Sequence, residues 1–388
     1  MYGGSVRMRP AMAEKPTCYF VSLKYAPGLW KEFHLLGRNL RDHGYAVKYL
    51  ISRDYAWMTQ AAAPDVVFVS SSANPKEILV DVARYRFHTR RLCARAFQSA
   101  PPAFLCVYNP HPLNAAVLRL AKRFAPNGIR AVYLHEPARP GKQAYGWKGR
   151  LFFDIVEHTQ KRALATATDV LLPSPVAQQL FQQRFPRHAG RRHLTPILIP
   201  DRPCRPAAPR RYFSMVGRFN FAKRLDLFIE AANYAAERDD TLHFQIATAS
   251  PIDEYLKALT PAARSHMRVV RKDRLSDDEI SEHVAASFAV LCLQPMITQS
   301  GVAPVAFMNA TPVIARSLPG FTQFVRHQSN GWILPDGFSA RDVLEAMNNV
   351  RANVETLSAN ARCSYLDWFS EANWERDYAW LLEALAGL

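Results

Sequence analysis

Short runs of consecutive apolar residues alternate along this chain with longer stretches whose apolar positions recur every three or four residues. Cys18–Leu23, Ala46–Ile51, Val66–Ser70, Phe104–Val107, Ala131–Leu134 and Val170–Leu172 are continuous hydrophobic runs, as strands are when both faces of their sheet are covered. Between the first two, Trp30–His43 places Phe33, Leu36 and Leu40 on one helix face and stops before Gly44, a helix-ending residue. The pattern restarts after residue 210. Strands are predicted at Tyr212–Val216, His243–Ala247, Phe288–Leu293 and Pro312–Ala315, and helices at Lys223–Arg238, Asp277–Ala286 and Val302–Asn309. This order predicts an α/β architecture of parallel, doubly wound sheets.

A Pro-rich stretch at 196–209 can continue neither element and divides the two patterns. With 388 residues the chain suits two domains. The expected organisation is a disordered tail over 1–16, a first Rossmann-like domain over 17–200, a linker at 201–210, a second Rossmann-like domain over 211–370 and a final helix within 371–388. The apolar face of that helix, Trp374, Tyr378, Leu381 and Leu382, needs a surface to dock on, and the first domain is the candidate. A ligand is expected in the cleft between the lobes.

The longest apolar runs fall well short of the roughly 20 residues that span a bilayer, and the first residues lack the apolar core of a secretory leader. Six widely spaced cysteines without a C-x-x-C pair argue against a zinc site or a disulfide framework and fit reduced thiols in a cytosol.

Charge adds more. The net +16 is unevenly held: residues 1–200 carry 29 Lys and Arg against 11 Asp and Glu, and the remainder carries 20 against 22. An excess confined to one lobe points to an anionic partner. Over residues 82–97, Arg84, Arg91 and Arg95 recur at helical spacing with Tyr85, Phe87 and Phe97 interleaved, and Arg119, Lys122 and Arg123 follow on the next helix. That suits a helix lying on an anionic membrane surface, and equally a charged outer face with its aromatics turned inward. A basic nucleic-acid-binding protein is the alternative from another class, but no RNP, helix-hairpin or zinc signature accompanies the charge, so no specific nucleic-acid partner is expected.

Two stretches carry candidate chemistry. In Val216-Gly217-Arg218-Phe219-Asn220-Phe221-Ala222-Lys223 a strand runs into a glycine loop with two cations and then a helix, which suits a diphosphate. In Gln299-Ser300-Gly301-Val302 a second polar turn opens a helix and offers N–H groups to an anion. Around them the chain resembles the retaining GT-B glycosyltransferases with a glycogen-synthase-like C-terminal domain. Gly217-Arg218 with Lys223 looks like that family's phosphate clamp. Thr311-Pro312-Val313-Ile314-Ala315, Pro319-Gly320-Phe321 and Asn330-Gly331-Trp332-Ile333-Leu334-Pro335 look like its ordered C-terminal motifs. The chain departs from the family at its glutamate pair, since Ile297 and Val305 stand where those two would be; instead it matches a shorter Gln-Ser-Gly-Val variant, with Gln299 near the place of the first.

The resemblance implies the GT-B fold and transfer of a hexose-type sugar, with retention, from a UDP- or GDP-linked donor to a glycan or glycolipid acceptor. It implies no cofactor beyond the nucleotide-sugar and no metal, with Arg218 and Lys223 on the leaving diphosphate. The site would lie on the inner, cytoplasmic face of the plasma membrane, reached through the basic first lobe. His135, at the end of the run Ala131–Leu134, matches the family's histidine beside the reacting sugar. Gly28, Asn109 and Glu136 are expected on the acceptor side, Gly28 as a loop glycine. A non-catalytic nucleotide-sugar-binding subunit or a nucleotide-sugar epimerase is the alternative within the same fold.

Overall fold

A computed structural model describes residues 16–59, 65–71, 75–85, 87–137, 147–204, 209–219, 223–295 and 300–388. The tail expected at 1–16 therefore lies outside the described residues except for Pro16. Strands β1 (Thr17–Ser22), β2 (Ala46–Ser52), β3 (Val66–Ser70), β4 (Pro102–Val107), β5 (Ile129–Tyr133), β6 (Asp169–Leu172) and β7 (Arg191–Leu194) form one parallel sheet ordered β3-β2-β1-β4-β5-β6-β7. Its helices are α1 (Pro27–Asp42), α2 (Pro75–Arg84), α3 (Thr89–Ser99), α4 (Asn114–Phe124), α5 (Trp147–Leu164) and α6 (Pro175–Arg184).

The second sheet, ordered β10-β9-β8-β11-β12-β13, contains β8 (Tyr212–Val216), β9 (His243–Thr248), β10 (Met267–Arg271), β11 (Ser287–Cys292), β12 (Val313–Arg316) and β13 (Gly331–Leu334), again all parallel. Around it run α7 (Leu225–Ala236), α8 (Asp253–Leu256), α9 (Pro261–His266), α10 (Asp277–Ala285), α11 (Val302–Met308), α12 (Pro319–Thr322), α13 (Ala340–Ala352) and α14 (Val354–Trp368). A last helix, α15 (Trp374–Ala386), closes the chain.

The central strands coincide with the continuous apolar runs, buried on both faces. Two of the edge strands are different. β7 reads Arg-Arg-His-Leu and β10 reads Met-Arg-Val-Val-Arg with little burial, so neither has the apolar run of a covered strand, and both escaped the pattern. α1 ends as Gly44 requires: with φ +81° it lets Tyr45 N–H reach Leu40 O (3.0 Å) and Gly44 N–H reach Arg41 O (2.7 Å). Its start is earlier than expected because Pro27, whose ring fixes a helical φ, occupies the first turn; Gly28 is thus helical and not a loop glycine.

The segment 82–97 is two helices, not one. α2 stops at Arg84, where Phe87 and His88 N–H both turn back to the Arg84 carbonyl (3.0 Å each), and α3 restarts at Thr89, whose hydroxyl donates to Val69 O at the end of β3 (2.7 Å).

Two passages of chain join the lobes, and they lie side by side. Ile199 N–H donates to Phe369 O (2.8 Å), Glu371 N–H donates to Ile199 O (3.1 Å), and Tyr365 Oη donates to the same carbonyl (2.9 Å). After this crossing α15 returns to the first domain. Trp374, Tyr378, Leu381 and Leu385 enter the apolar cluster of Phe20, Phe33, Leu36, Tyr108 and Tyr133, with Leu382 at its margin. The ring of Trp380 stacks on His193 of β7 at 3.5 Å between centroids. Among the described residues no helix is long and apolar enough to cross a membrane. All six cysteines are free; burial pushes the thiols of Cys18 and Cys93 up to about 12, which removes their nucleophilicity near neutral pH.

Beneath α15 is a small cavity bounded by Glu32, Leu36, Tyr108, Tyr133, Thr195 and Tyr378. Glu32 keeps some accessible surface, yet its carboxyl is crowded by these side chains, and burial pushes it up to about 8 against the opposing effect of Tyr133. Tyr133 Oη lies beside that carboxyl without reaching hydrogen-bond geometry. The folded protein therefore holds a proton that the unfolded chain releases in the ordinary carboxylate range. The stability this gives is complete below that range and is lost as pH rises through about 8. Glu32→Gln is expected to flatten the fall in melting temperature between roughly pH 5 and 8; an unchanged slope in a pH series of thermal melts would exclude an unusual carboxyl at this position.

Candidate functional site

Each parallel sheet changes direction of winding once in its interior, between β1 and β4 in the first domain and between β8 and β11 in the second. At such points the loops leaving the strand ends diverge and open a crevice. Contacts between the domains come from segments that follow strand ends on both sides. Lys31 of α1 pairs with Asp277 of α10, Arg274 lies over the Trp57 ring at 3.4 Å, and Val176 N–H donates to Gln323 Oε1 at 3.4 Å. The carboxyl edges of the two sheets thus face one another.

On the second domain, β8 ends in Gly217 at φ +112°, its N–H donating to Ala247 O (2.9 Å). A Cβ there would meet nothing within 4 Å, so the backbone conformation, not space, calls for glycine. Arg218 follows, exposed and, among the described residues, with no side-chain hydrogen bond or ion pair; Phe219 N–H is fixed by Ser250 Oγ (2.9 Å). Residues 220–222 lie outside the described residues. Lys223 returns at the head of α7, half-buried, and its charge acts on Cys292 at the end of β11. Burial pushes that thiol up to about 11, with Lys223 and a hydrogen bond with Ser300 pulling the other way. Lys223 and Ser300 therefore converge on the end of β11, beside the end of β8 that carries Gly217 and Arg218.

The turn before α11 differs from expectation. Gln299 lies outside the described residues. Ser300 is buried, and its Oγ accepts from Val302 N–H (3.2 Å) and Ala303 N–H (3.4 Å), so these two groups are already satisfied within the turn that Gly301 completes. α11 is only seven residues long. The cationic side chains, more than a helix end, supply the positive charge here.

Several motif residues prove structural. Thr311 is fully buried, its hydroxyl donating to Val284 O (3.0 Å) and accepting from Arg210 Nη1 (2.8 Å), whose guanidinium also binds the carbonyls of Ser287 and Ala310. Arg210 was not singled out by sequence; an isolated arginine at a linker's end carries no signal. Asn330 is buried, with Nδ2 donating to Phe324 O (2.8 Å) and to Ser364 Oγ (2.7 Å), and a Cβ on Gly331 would lie 2.3 Å from Val313 O. Val305 packs at the margin of an apolar cluster, and Ile297 lies outside the described residues.

On the first domain, His135 stands two residues beyond β5, its ring parallel to Tyr133 at 6.3 Å. Burial holds its pKa below the usual range, against the pull of the Glu136 carboxylate, so the imidazole is neutral near pH 7. Glu136 is exposed beside it. Asn109 adopts φ +62° and ties the end of β4 to the loop after β1, with Nδ2 donating to Ser22 Oγ (3.2 Å) and Lys24 O (3.3 Å). His111 is buried, accepts from Leu113 N–H through Nδ1 (3.2 Å), and is pushed down to about 4 by burial. Both side chains thus hold their loops in place. The expected residues thus form two groups, one on each domain. Among the described residues no group of three His, Cys, Asp or Glu is placed to hold a metal ion.

Residues 210–353 match the model of the glycosyl transferases group 1 family. No curated protein matches the chain by sequence. Among solved structures, sucrose-phosphate synthase from Thermosynechococcus elongatus superposes with TM-score 0.69 at 14% identity, over 95% of this chain and 100% of that one. HepE of Anabaena, in complex with UDP, gives TM-score 0.69 at 15% identity over 95% and 100%. A glycosyltransferase of Rickettsia africae gives 0.72 at 11% over 96% and 99%. With its cation-bearing loops set at the winding switch of the second sheet, the chain has the GT-B fold, and its residues 210–353 match the glycosyl transferases group 1 family.

Proposed function

We propose that this protein is a retaining glycosyltransferase that moves a hexose-type sugar from a UDP- or GDP-linked donor to a lipid-linked or polysaccharide acceptor at the inner membrane face, without a metal ion. The observation that carries this reading is the convergence of Lys223 and Ser300 on the end of β11 beside Gly217-Arg218. Two cations held at a sheet's winding switch suit a diphosphate leaving group, whose developing charge they would neutralise. The neutral imidazole of His135 would hydrogen-bond the donor sugar and orient it. The neighbours support the donor class: HepE structures hold UDP or UDP-glucose, and the pneumococcal O-GlcNAc transferase GtfA holds UDP and GlcNAc.

A thermal-shift panel of UDP, GDP, ADP and dTDP with their sugars tests this directly, because a ligand bound only to the folded state raises its melting temperature. One diphosphate nucleoside is expected to stabilise the protein by several degrees at a concentration of about 100 times its Kd, corresponding to about 2.7 kcal/mol. No shift with any of them would overturn the assignment. The apolar Val305 at a family glutamate position favours one second reading, a nucleotide-sugar-binding subunit without turnover. Binding without transfer or hydrolysis would mark it.

A further inference from the structure

The strangest surface of the molecule is α2. A helix on a sheet normally turns its apolar stripe to the core. α2 does the reverse: Asp81 is buried and accepts from Ser71 N–H (2.9 Å), and Glu77 is half-buried, while Leu79 is 70% exposed, Val80 45% and Val82 39%. At 100° per residue, Leu79, Val80 and Ala83 share the outward face with Lys76, flanked by Val82 and Arg84. Phe87, in the turn to α3, is 81% exposed.

Exposed basic groups lie on α2 itself and on the two helices that follow it. Lys76, Arg84, Arg90, Arg91 and Arg95 are all exposed on α2 and α3, and Arg119, Lys122 and Arg123 are exposed on α4, which packs beside α3. The neighbouring acids, Glu77 and Asp81, are the ones turned inward. Of the aromatics named from sequence, Phe97 is fully buried and Tyr85 half-buried against the same core, so only Phe87 faces out. The apolar contribution comes instead from α2, whose apolar residues turn outward.

We infer that the outward face of α2, with Phe87, docks on an anionic lipid bilayer, its apolar side chains entering the headgroup boundary while the arginines of α2, α3 and α4 meet phosphate. Opposite charge is needed around the strip, and an apolar partner within it; an anionic bilayer offers both over an extended plane, which suits a helix lying flat. α2 leaves the carboxyl end of edge strand β3, the same sheet edge that carries Asn109 and His135, so the docked surface would stand beside the acceptor half of the cleft. That placement gives the lipid-linked acceptor proposed above its carrier and rests on that reading; lipid attachment itself does not.

The test is co-sedimentation of the full chain with vesicles of zwitterionic lipid alone and with an anionic lipid added, for the wild type and for Leu79→Ser/Phe87→Ser. Both side chains are exposed, so the double variant is expected to melt as the wild type does. The wild type should sediment only with anionic vesicles. The double variant should partition at least about tenfold more weakly, the loss expected for removing even one well-buried apolar side chain. Equal recovery on both vesicle types, no recovery on either, or an unaffected variant would overturn the inference. So would a wild-type dimer by light scattering that the double variant abolishes, because the face would then belong to a second copy. Nucleotide-induced thermal shifts, measured in parallel, report on the transfer site alone and separate failure of this surface from failure of the proposed function.

Discussion

Lys223→Ala is expected to slow sugar transfer by roughly 100- to 1,000-fold, the usual loss when one preorganised group facing a developing negative charge is removed. The same replacement should erase most of the thermal shift given by the stabilising nucleotide diphosphate. Arg218→Ala should act similarly, and it offers the cleaner control: the side chain is exposed and, among the described residues, bonded to nothing, so the ligand-free melting temperature should stay where it is. Lys223 differs in lying near the buried Cys292. If transfer survives both replacements, the diphosphate is bound elsewhere and the role given to these cations is wrong. Initial rates with saturating donor, together with melts in the presence and absence of nucleotide, distinguish lost chemistry from lost fold.

The second large effect concerns stability. Asp169 is fully buried at the start of β6, where its carboxylate receives Arg191 Nε (2.9 Å) and Nη2 (3.2 Å), the Thr168 hydroxyl (2.6 Å) and a bond with His193 Nε2 (2.7 Å). Burial alone would raise its pKa, but these partners outweigh burial and hold it below the ordinary aspartate range. Its contribution is therefore present above that range and lost on acidification. Asp169→Ala should cost roughly 3 kcal/mol, the low end for breaking a buried ionic cluster, because Arg191 is 61% exposed and can turn to water. For a domain of this size that is a fall in melting temperature of roughly 6–12 °C. The effect should spread to α15, since the His193 ring that Asp169 orients is the one stacked under Trp380. A variant that melts within about 1 °C of the wild type would show that the cluster holds nothing together.

What the sequence disclosed follows the physics of burial. Strands covered on both faces announce themselves as apolar runs, and Tyr212–Val216 coincides with its observed bounds; Val66–Ser70 does so too, because β3 keeps an apolar run although it is an edge strand. Edge strands β7 and β10 face water and are written in arginine, so the same criterion passes over them. Gly217, Arg218 and Lys223 were legible because a strand, a glycine and two cations occur together; their convergence with Ser300 needed the β8–β11 adjacency, which sequence does not display. At the Ser300 turn the hydroxyl already takes the Val302 and Ala303 N–H groups, which no sequence pattern discloses. Gly28 is helical because Pro27 opens α1 one residue before it, although the apolar periodicity begins only at Trp30. α2 was invisible for the opposite reason: an apolar stripe is assumed to face inward, and nothing in its composition signals inversion.

The paired crossings at Ile199 and Phe369–Glu371 also decide which lobe the end of the chain travels with. Because α15 is stacked onto β7 and the first domain's core, a fluorophore or affinity tag fused after Leu388 would move with the first domain, although the chain emerges from the second domain just before it. A dye there paired with one on the edge strand β10 would report, through energy transfer, the distance between the two domains.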